Sequence, residues 1–178
     1  MKPKQVVELD LLTALDSLKD ESDRGAVVLA GSLVENALGQ FLERYSLRHV
    51  DKKTTEKLFG PTGPISTFSQ RTLVASAFGL IGKRAHQQLD AIRVIRNHFA
   101  HHPAEASFND ANIVGVPQKL LFHAMAVKVL GGNSPDIPRK AYISTCSCFL
   151  GVLQRDEVVS DSSLTVWSSP RSWRRAEK

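Results

Sequence analysis

The sequence predicts an all-α protein, a single-domain bundle of about six helices with a flexible C-terminal tail. Apolar residues recur at intervals of three and four almost throughout, and no stretch alternates in the manner of a β-strand. The breaks between these stretches carry the Pro, Gly, Asp and Ser residues that begin or end helices. A length of 178 residues, 42% of them hydrophobic, fits one core. We therefore predict a helical domain over residues 1–154 and a flexible basic tail over 155–178.

Two helices are predicted in the first third of the chain. The first runs from about Lys4 to Lys19 and carries Val7, Leu11, Leu15 and Leu18 on one stripe. The acidic cluster Asp20–Asp23 then breaks the chain and caps a second helix, which continues to about Leu47. Residues Phe59–Phe68 are predicted to form a loop, because two prolines and two glycines interrupt any regular element there.

Four more helices follow this loop. A short one over Ser69–Leu80 begins at a capping serine, and a longer one covers Lys83–His101. The longer helix must end there, because Pro103 disfavours the helical conformation at the residue before it. The next helix lies within Pro117–Gly132, opened by its proline and closed by its glycine pair. The last covers about Pro138–Leu153.

The composition indicates a cytoplasmic protein without a membrane segment. No uninterrupted apolar run approaches the roughly 20 residues that span a bilayer. Cys146 and Cys148 lie two apart in a predicted helix, so they face different directions and are expected to be reduced, buried thiols. His98 and His102 share a helix face, but no complementary ligand stands near them, so we expect no metal and no cofactor.

The net charge of +5 permits contact with a polyanion without requiring it. Basic residues are densest between Arg44 and Lys57 and in the last nine residues. Trp167 and Trp173 in the predicted tail could stack on bases, dock on a partner or fold back on the bundle.

Three stretches, in chain order, resemble the mannitol operon repressor (MltR) family. They are ESDRGAVVLAGSLVENAL at Glu21–Leu38, LFGPTGPISTFSQRTLVASAFGLI at Leu58–Ile81 and LDAIRVIRNHFAHHP at Leu89–Pro103, with a trailing SFND at Ser107–Asp110. The resemblance implies a helical bacterial transcription regulator of repressor type. It also implies action through another regulatory protein, or through a DNA contact other than a helix-turn-helix. In agreement, we find no short turn that presents a base-reading helix.

The run Arg96–His101 (RNHFAH) also matches the R-x4-6-H signature of the HEPN superfamily of helical nucleotide- and RNA-binding domains. Many of these are metal-independent endoribonucleases that act as dimers, and the MltR family would be a branch of them. This resemblance implies an alternative function, a homodimeric endoribonuclease in which Arg96, Asn97 and His101 are catalytic.

A helical wheel divides the segment Lys83–His101 into two faces. Leu89, Ile92, Ile95 and Phe99 share an arc of about 120°, the predicted core face. Asp90, Arg93, Asn97 and His101 share a second arc, and Arg96 lies between the two. The polar arc is the candidate binding strip.

Two interpretations of this strip stay open. In the structural one, Asp90 pairs with Arg93, Arg96 braces a neighbouring helix, and Asn97 and His101 bind backbone groups at the helix end. In the functional one, Arg96 holds a phosphate and His101 is the general acid or base. These two side chains are about 140° apart on one helix, so catalysis requires a dimer.

Asp23 and Arg24 complete the candidate binding residues. Their structural role would be to cap the second helix. Their functional role would be to line the same polar pocket as Asn97 and His101. Altogether the sequence favours a regulator that binds a protein partner, and it favours this function over an enzyme.

Overall fold

A computed structural model describes residues 18, 20–102, 106–155 and 157–168, and it confirms the all-helical prediction over them. These residues form seven α-helices and one 3-10 turn, with a single isolated β-bridge and no strand. The elements are α1 (Asp23–Ser46), α2 (Lys52–Phe59), α3 (Phe68–Ala77), α4 (Lys83–His101), the 3-10 turn Pro117–Lys119, α5 (His123–Leu130), α6 (Ile137–Leu153) and α7 (Asp161–Ser168).

Local sequence signals account for most of the helix ends. The side chain of Ser22, inside the predicted acidic cluster, accepts the Gly25 amide and caps α1. Thr67 and Gln70 form a reciprocal capping box at the start of α3. α4 begins and ends at the predicted residues. The helix predicted over Lys4–Lys19 lies outside the described residues.

The structure differs from the prediction at α2, α3 and α5. α3 begins at Phe68 and is capped by Thr67, not by Ser69 as predicted, and it ends at Ala77, not at about Leu80. α2 was not predicted, and it forms because Asp51 caps it at the Thr54 amide. α5 begins at His123 and not at Pro117, because the proline opens a separate 3-10 turn. The side chain of Gln88 stabilises that turn by donating to the Lys119 carbonyl and accepting the Leu121 amide.

The core lies around α1, which packs against α6 and α4. The four residues predicted to form the core face of α4 are all fully buried: Leu89, Ile92, Ile95 and Phe99. The largest fully buried side chains in the described part of the chain include Tyr142, Phe99, Phe122 and Phe149, so aromatic rings fill the centre of the bundle.

Residues 157–168 pack against the bundle, whereas the sequence predicts a flexible tail from residue 155. Val159 exchanges backbone hydrogen bonds with Leu80 and Gly82, and Leu164 is fully buried. The Asp161 carboxylate accepts the Arg84 amide at 2.9 Å and so caps the first turn of α4. The packed domain therefore extends beyond the predicted boundary, because Val159 and Leu164 supply buried apolar anchors in a serine-rich segment. Residues 169–178, with Trp173, lie outside the described part.

α1 is long and apolar enough to cross a membrane, judged by length and composition alone. Half of its apolar window is buried inside the bundle, as is typical of a core helix. The two cysteines are free and buried, as predicted. Burial raises the pKa of the Cys148 thiol to about 12 and that of Cys146 further still, so both are protonated and unreactive at neutral pH.

Candidate functional site

Arg96, the central residue of the candidate motif, is held between α1 and α4. Its guanidinium forms an ion pair with Glu35 of α1, and both side chains are only 20% exposed. A second guanidinium nitrogen donates to the Asn97 side-chain oxygen at 2.9 Å, and the ring of Phe68 lies 5.9 Å below the charge. Arg96 therefore links α4 to α1, which is the contact that the structural interpretation of the strip expects.

This brace depends on a close approach of α1 to α4 and α6 at Gly31. A Cβ atom at Gly31 would lie 2.6 Å from the Tyr142 hydroxyl and 2.8 Å from Arg96 Cβ. Tyr142 is fully buried and donates its hydroxyl to the Val27 carbonyl at 3.1 Å. Because burial penalises the phenolate, the Tyr142 pKa is raised well above its ordinary value, and the hydroxyl stays a neutral donor. A glycine at position 31 therefore lets the arginine and the tyrosine share one narrow space.

The remaining residues of the predicted polar strip do not converge with Arg96. Arg93 pairs with Asp90 at 2.6 Å on the outer surface, as the structural interpretation predicts. Asn97 accepts a hydrogen bond from Arg96 and binds no backbone group among the described residues. His101 is exposed at the end of α4. The strip is thus divided into a half-buried ion pair, an interhelical brace and one exposed histidine.

Asp23 and Arg24 serve two different contacts between helices. Asp23 accepts a hydrogen bond from Arg139 of α6 at 2.7 Å, while the same guanidinium donates to the carbonyls of Leu18 and Glu21. Arg24 donates to the Phe99 carbonyl at 3.2 Å, in the last turn of α4. Arg24 therefore does reach the C-terminal end of α4, where a cation is favoured. Neither residue caps α1, because Ser22 does so.

A histidine that was not among the predicted site residues makes the closest polar contact at this helix end. His98 is buried, and its Nε2–H donates to the Asp110 carboxylate at 2.5 Å. His102 stacks on His98 with ring centroids 4.7 Å apart and donates from Nδ1 to the His98 carbonyl. The two histidines, predicted to share a face, are thus engaged with Asp110 and with the backbone.

Asp110 fixes the loop after α4 to the helix. Its carboxylate accepts the Ser107 amide at 3.0 Å as well as the imidazole of His98. The Ser107 amide and then the His98 hydrogen bond lower the Asp110 pKa, because both stabilise the carboxylate. Phe108, in the same loop, packs on Phe99 with ring centroids 4.9 Å apart. The loop is therefore anchored by one polar and one aromatic contact.

The described residues contain no group of three His, Cys, Asp or Glu side chains that could hold a metal ion. Within one chain, the arrangement braces helices and positions no nucleophile, base and phosphate ligand around a common point. Sequence reasoning missed Glu35, Tyr142, His98 and Asp110. Two sequence features could have pointed to these contacts. A glycine inside a helix, at Gly31, indicates close packing of a neighbouring helix. The Ser-x-x-Asp spacing of Ser107–Asp110 is typical of a turn stabilised by a side chain.

Comparison with known proteins identified no relative of this chain. The sequence matches no protein-family profile, and no curated protein or solved structure is significantly similar to the chain.

Proposed function

We propose that this chain is a helical regulatory domain that acts by binding a protein partner, as the resemblance to repressor-like MltR regulators implies. The observation that carries the proposal is the engagement of Arg96 by Glu35 and Asn97. An arginine held in this way has its charge paired and both terminal guanidinium nitrogens engaged, so it is poorly placed to grip a phosphate. This supports a structural role for the motif and directs attention to the outer surfaces.

Exposed apolar side chains support a macromolecular partner. Leu73 on α3 is 62% exposed, Phe78 directly after α3 is 72% exposed, and Val129 on α5 is 64% exposed. By contrast, the groove next to Tyr45 has a cavity volume of about 60 Å³, well below the roughly 300–1,000 Å³ of small-molecule sites. On this proposal the protein is soluble and cytoplasmic, needs no cofactor, and contacts nucleic acid only indirectly or weakly.

Affinity capture from native lysate, analysed for both protein and nucleic acid, tests the proposal. We expect one protein to be retained in a fixed ratio to the bait at physiological salt. A heat-unfolded bait is the control for non-specific retention. Retention of nucleic acid alone, lost steeply as salt rises, would contradict the proposal and favour direct nucleic-acid binding.

A dimeric endoribonuclease is the second candidate function, and two observations favour it. The Nε atom of Arg96 is buried without a hydrogen-bond partner among the described residues, and His101 is exposed on the same helix. Because the two side chains diverge within one chain, a partner subunit has to bring them together. Sedimentation equilibrium tests this requirement, and a monomer at micromolar concentration would eliminate the nuclease.

A further inference from the structure

The segment of residues 58–82, which contains α3, is almost free of charge. It includes one charged residue, Arg71, whereas charged residues make up 23% of the whole chain. The Arg71 guanidinium is turned toward α1 and the preceding loop, where it donates to the carbonyls of Glu35 and Ile65. The exposed residues of this segment are all uncharged: Pro61, Thr62, Pro64, Thr67, Ser69, Gln70, Leu73, Ala77, Phe78 and Gly79.

On α3 the exposed residues form one stripe, because their spacing places them on one side of the helix. We call this stripe, with the residue that follows the helix, the α3 face: Ser69, Gln70, Leu73, Ala77 and Phe78. The opposite side of α3 is buried through Phe68, Thr72 and Ala75. Leu73 and Phe78 are among the three most exposed large hydrophobic side chains in the described part of the chain. The α3 face is therefore uncharged and has apolar side chains open to solvent.

The backbone holds Phe78 in its outward position. The Gly79 amide donates to the Ser76 carbonyl at 3.0 Å, and the Leu80 amide donates to the Ala75 carbonyl at 2.9 Å. These two hydrogen bonds are the Schellman arrangement of a helix end, which needs the left-handed backbone that Gly79 adopts, with a φ of 67°. Leu80 is buried behind this turn, whereas Phe78 stays outside. Because the backbone is already fixed, covering the Phe78 ring costs little further ordering.

We propose that two copies of this chain associate through the α3 face in a two-fold symmetric dimer. In such an interface the same surface is used on both copies, so residues near the axis meet their own kind. A charged residue there would face its own charge, and two copies of net charge +5 also repel each other as whole molecules. An uncharged face with an aromatic and an aliphatic side chain is complementary to itself, and it matches the charge-poor, aromatic-rich centre of protein interfaces.

The absence of charge favours a second copy over a different protein as the occupant. Contacts with a different protein commonly use charges of opposite sign to steer association and to exclude wrong partners, and the α3 face has no charge of either sign. The exposed residues of the segment are fewer than the about 20–30 per side of a standard interface, so we expect a weak dimer with a Kd on the order of 10 µM. The inference goes beyond the proposed function, because it assigns α3 to self-association and leaves Val129 on α5 for a different protein.

Sedimentation velocity of the purified full chain tests the proposal. Between about 1 and 200 µM, a range that brackets the expected Kd, the natural protein should pass from monomer to dimer. The double variant Leu73→Glu/Phe78→Glu should raise the Kd of the dimer by about ten-fold or more, since it removes both apolar anchors and adds like charges. The matched control Val129→Glu/Leu130→Glu makes the same kind of change at two exposed residues of α5 and should leave the Kd within about two-fold. Circular dichroism verifies that each variant is folded.

The salt dependence of the natural protein is a second measurement and needs no variant. Raising NaCl from about 50 to 500 mM should leave the dimer unchanged or tighten it, because salt screens only the repulsion between the two positive copies. Three results would overturn the dimer: a natural protein that stays monomeric over the whole range, a dimer that salt dissociates, or equal weakening by the two double variants. A monomeric protein that still captures a partner from lysate would leave the proposed function standing. A dimer that captures no partner would leave the α3 face standing and the regulatory role wrong.

Discussion

Replacing Arg96 with methionine removes one member of the interhelical ion pair and leaves the Glu35 carboxylate without its partner. Removing one member of a fully buried pair costs about 3–5 kcal/mol. Because both side chains are 20% exposed, water relieves part of that penalty, and we expect a loss of about 2–3 kcal/mol in the free energy of unfolding. Arg93→Met, which breaks the surface pair with Asp90, is the matched control and should cost about 0–1 kcal/mol.

Urea unfolding followed by circular dichroism measures both effects. Adding Glu35→Gln to Arg96→Met should restore stability relative to the sum of the two single losses, by at least about 1 kcal/mol, since the double variant buries no unpaired charge. The reasoning would be refuted if Arg96→Met cost no more than Arg93→Met, or if the two substitutions were additive.

Three further predictions concern the rest of the structure. Gly31→Ala should destabilise by about 1–3 kcal/mol, because its Cβ would lie 2.6 Å from the Tyr142 hydroxyl. Gly151→Ala on α6 is the control in the same thermal-unfolding series: its Cβ would have no atom within 4 Å, so the substitution should stabilise the protein by about 0.5–1 kcal/mol. An equal loss of stability at both positions would count against the packing argument. The lowered pKa of Asp110 stabilises the fold above the unfolded value of 3.8, and this stability is lost as pH falls through the folded value. Asp110→Asn should therefore flatten the stability-pH curve below pH 3.8, and an unchanged slope would show that the loop contact is unimportant. Cys148, with a pKa of about 12, should resist a thiol reagent at pH near 8 in the native protein and react in denaturant; rapid native labelling would contradict its burial.

The apolar periodicity predicted the long helices because each turn of an amphipathic helix places an apolar side chain in the core. The bounds of α4 and its four core positions follow from repeated apolar spacing together with the proline that ends it. α2 was not predicted because six of the eight residues from Lys52 to Phe59 are polar and bury little, so the helix depends on the Asp51 cap. The packing of Leu164 was not predicted because a single buried apolar residue in a serine-rich segment gives no periodic signal.

The candidate site was predictable only in part. The Asp90–Arg93 pair follows from helical spacing, since residues three apart face each other. Glu35 and Tyr142 could not be assigned to Arg96 from the sequence, because they lie 61 and 46 positions away and only the packing at Gly31 brings them together. Likewise, the His98–Asp110 contact depends on the path of a loop, which no local pattern specifies.

An RNA-cleavage assay tests most directly whether the motif on α4 serves the fold and not a reaction. Fluorescent single-stranded RNA is incubated without metal, once with the natural protein and once with His101→Ala. We predict that the RNA stays intact with both proteins, because Arg96 is committed to Glu35 and His101 stands apart from it. Cleavage by the natural protein that disappears in His101→Ala would contradict this and would make the chain a ribonuclease.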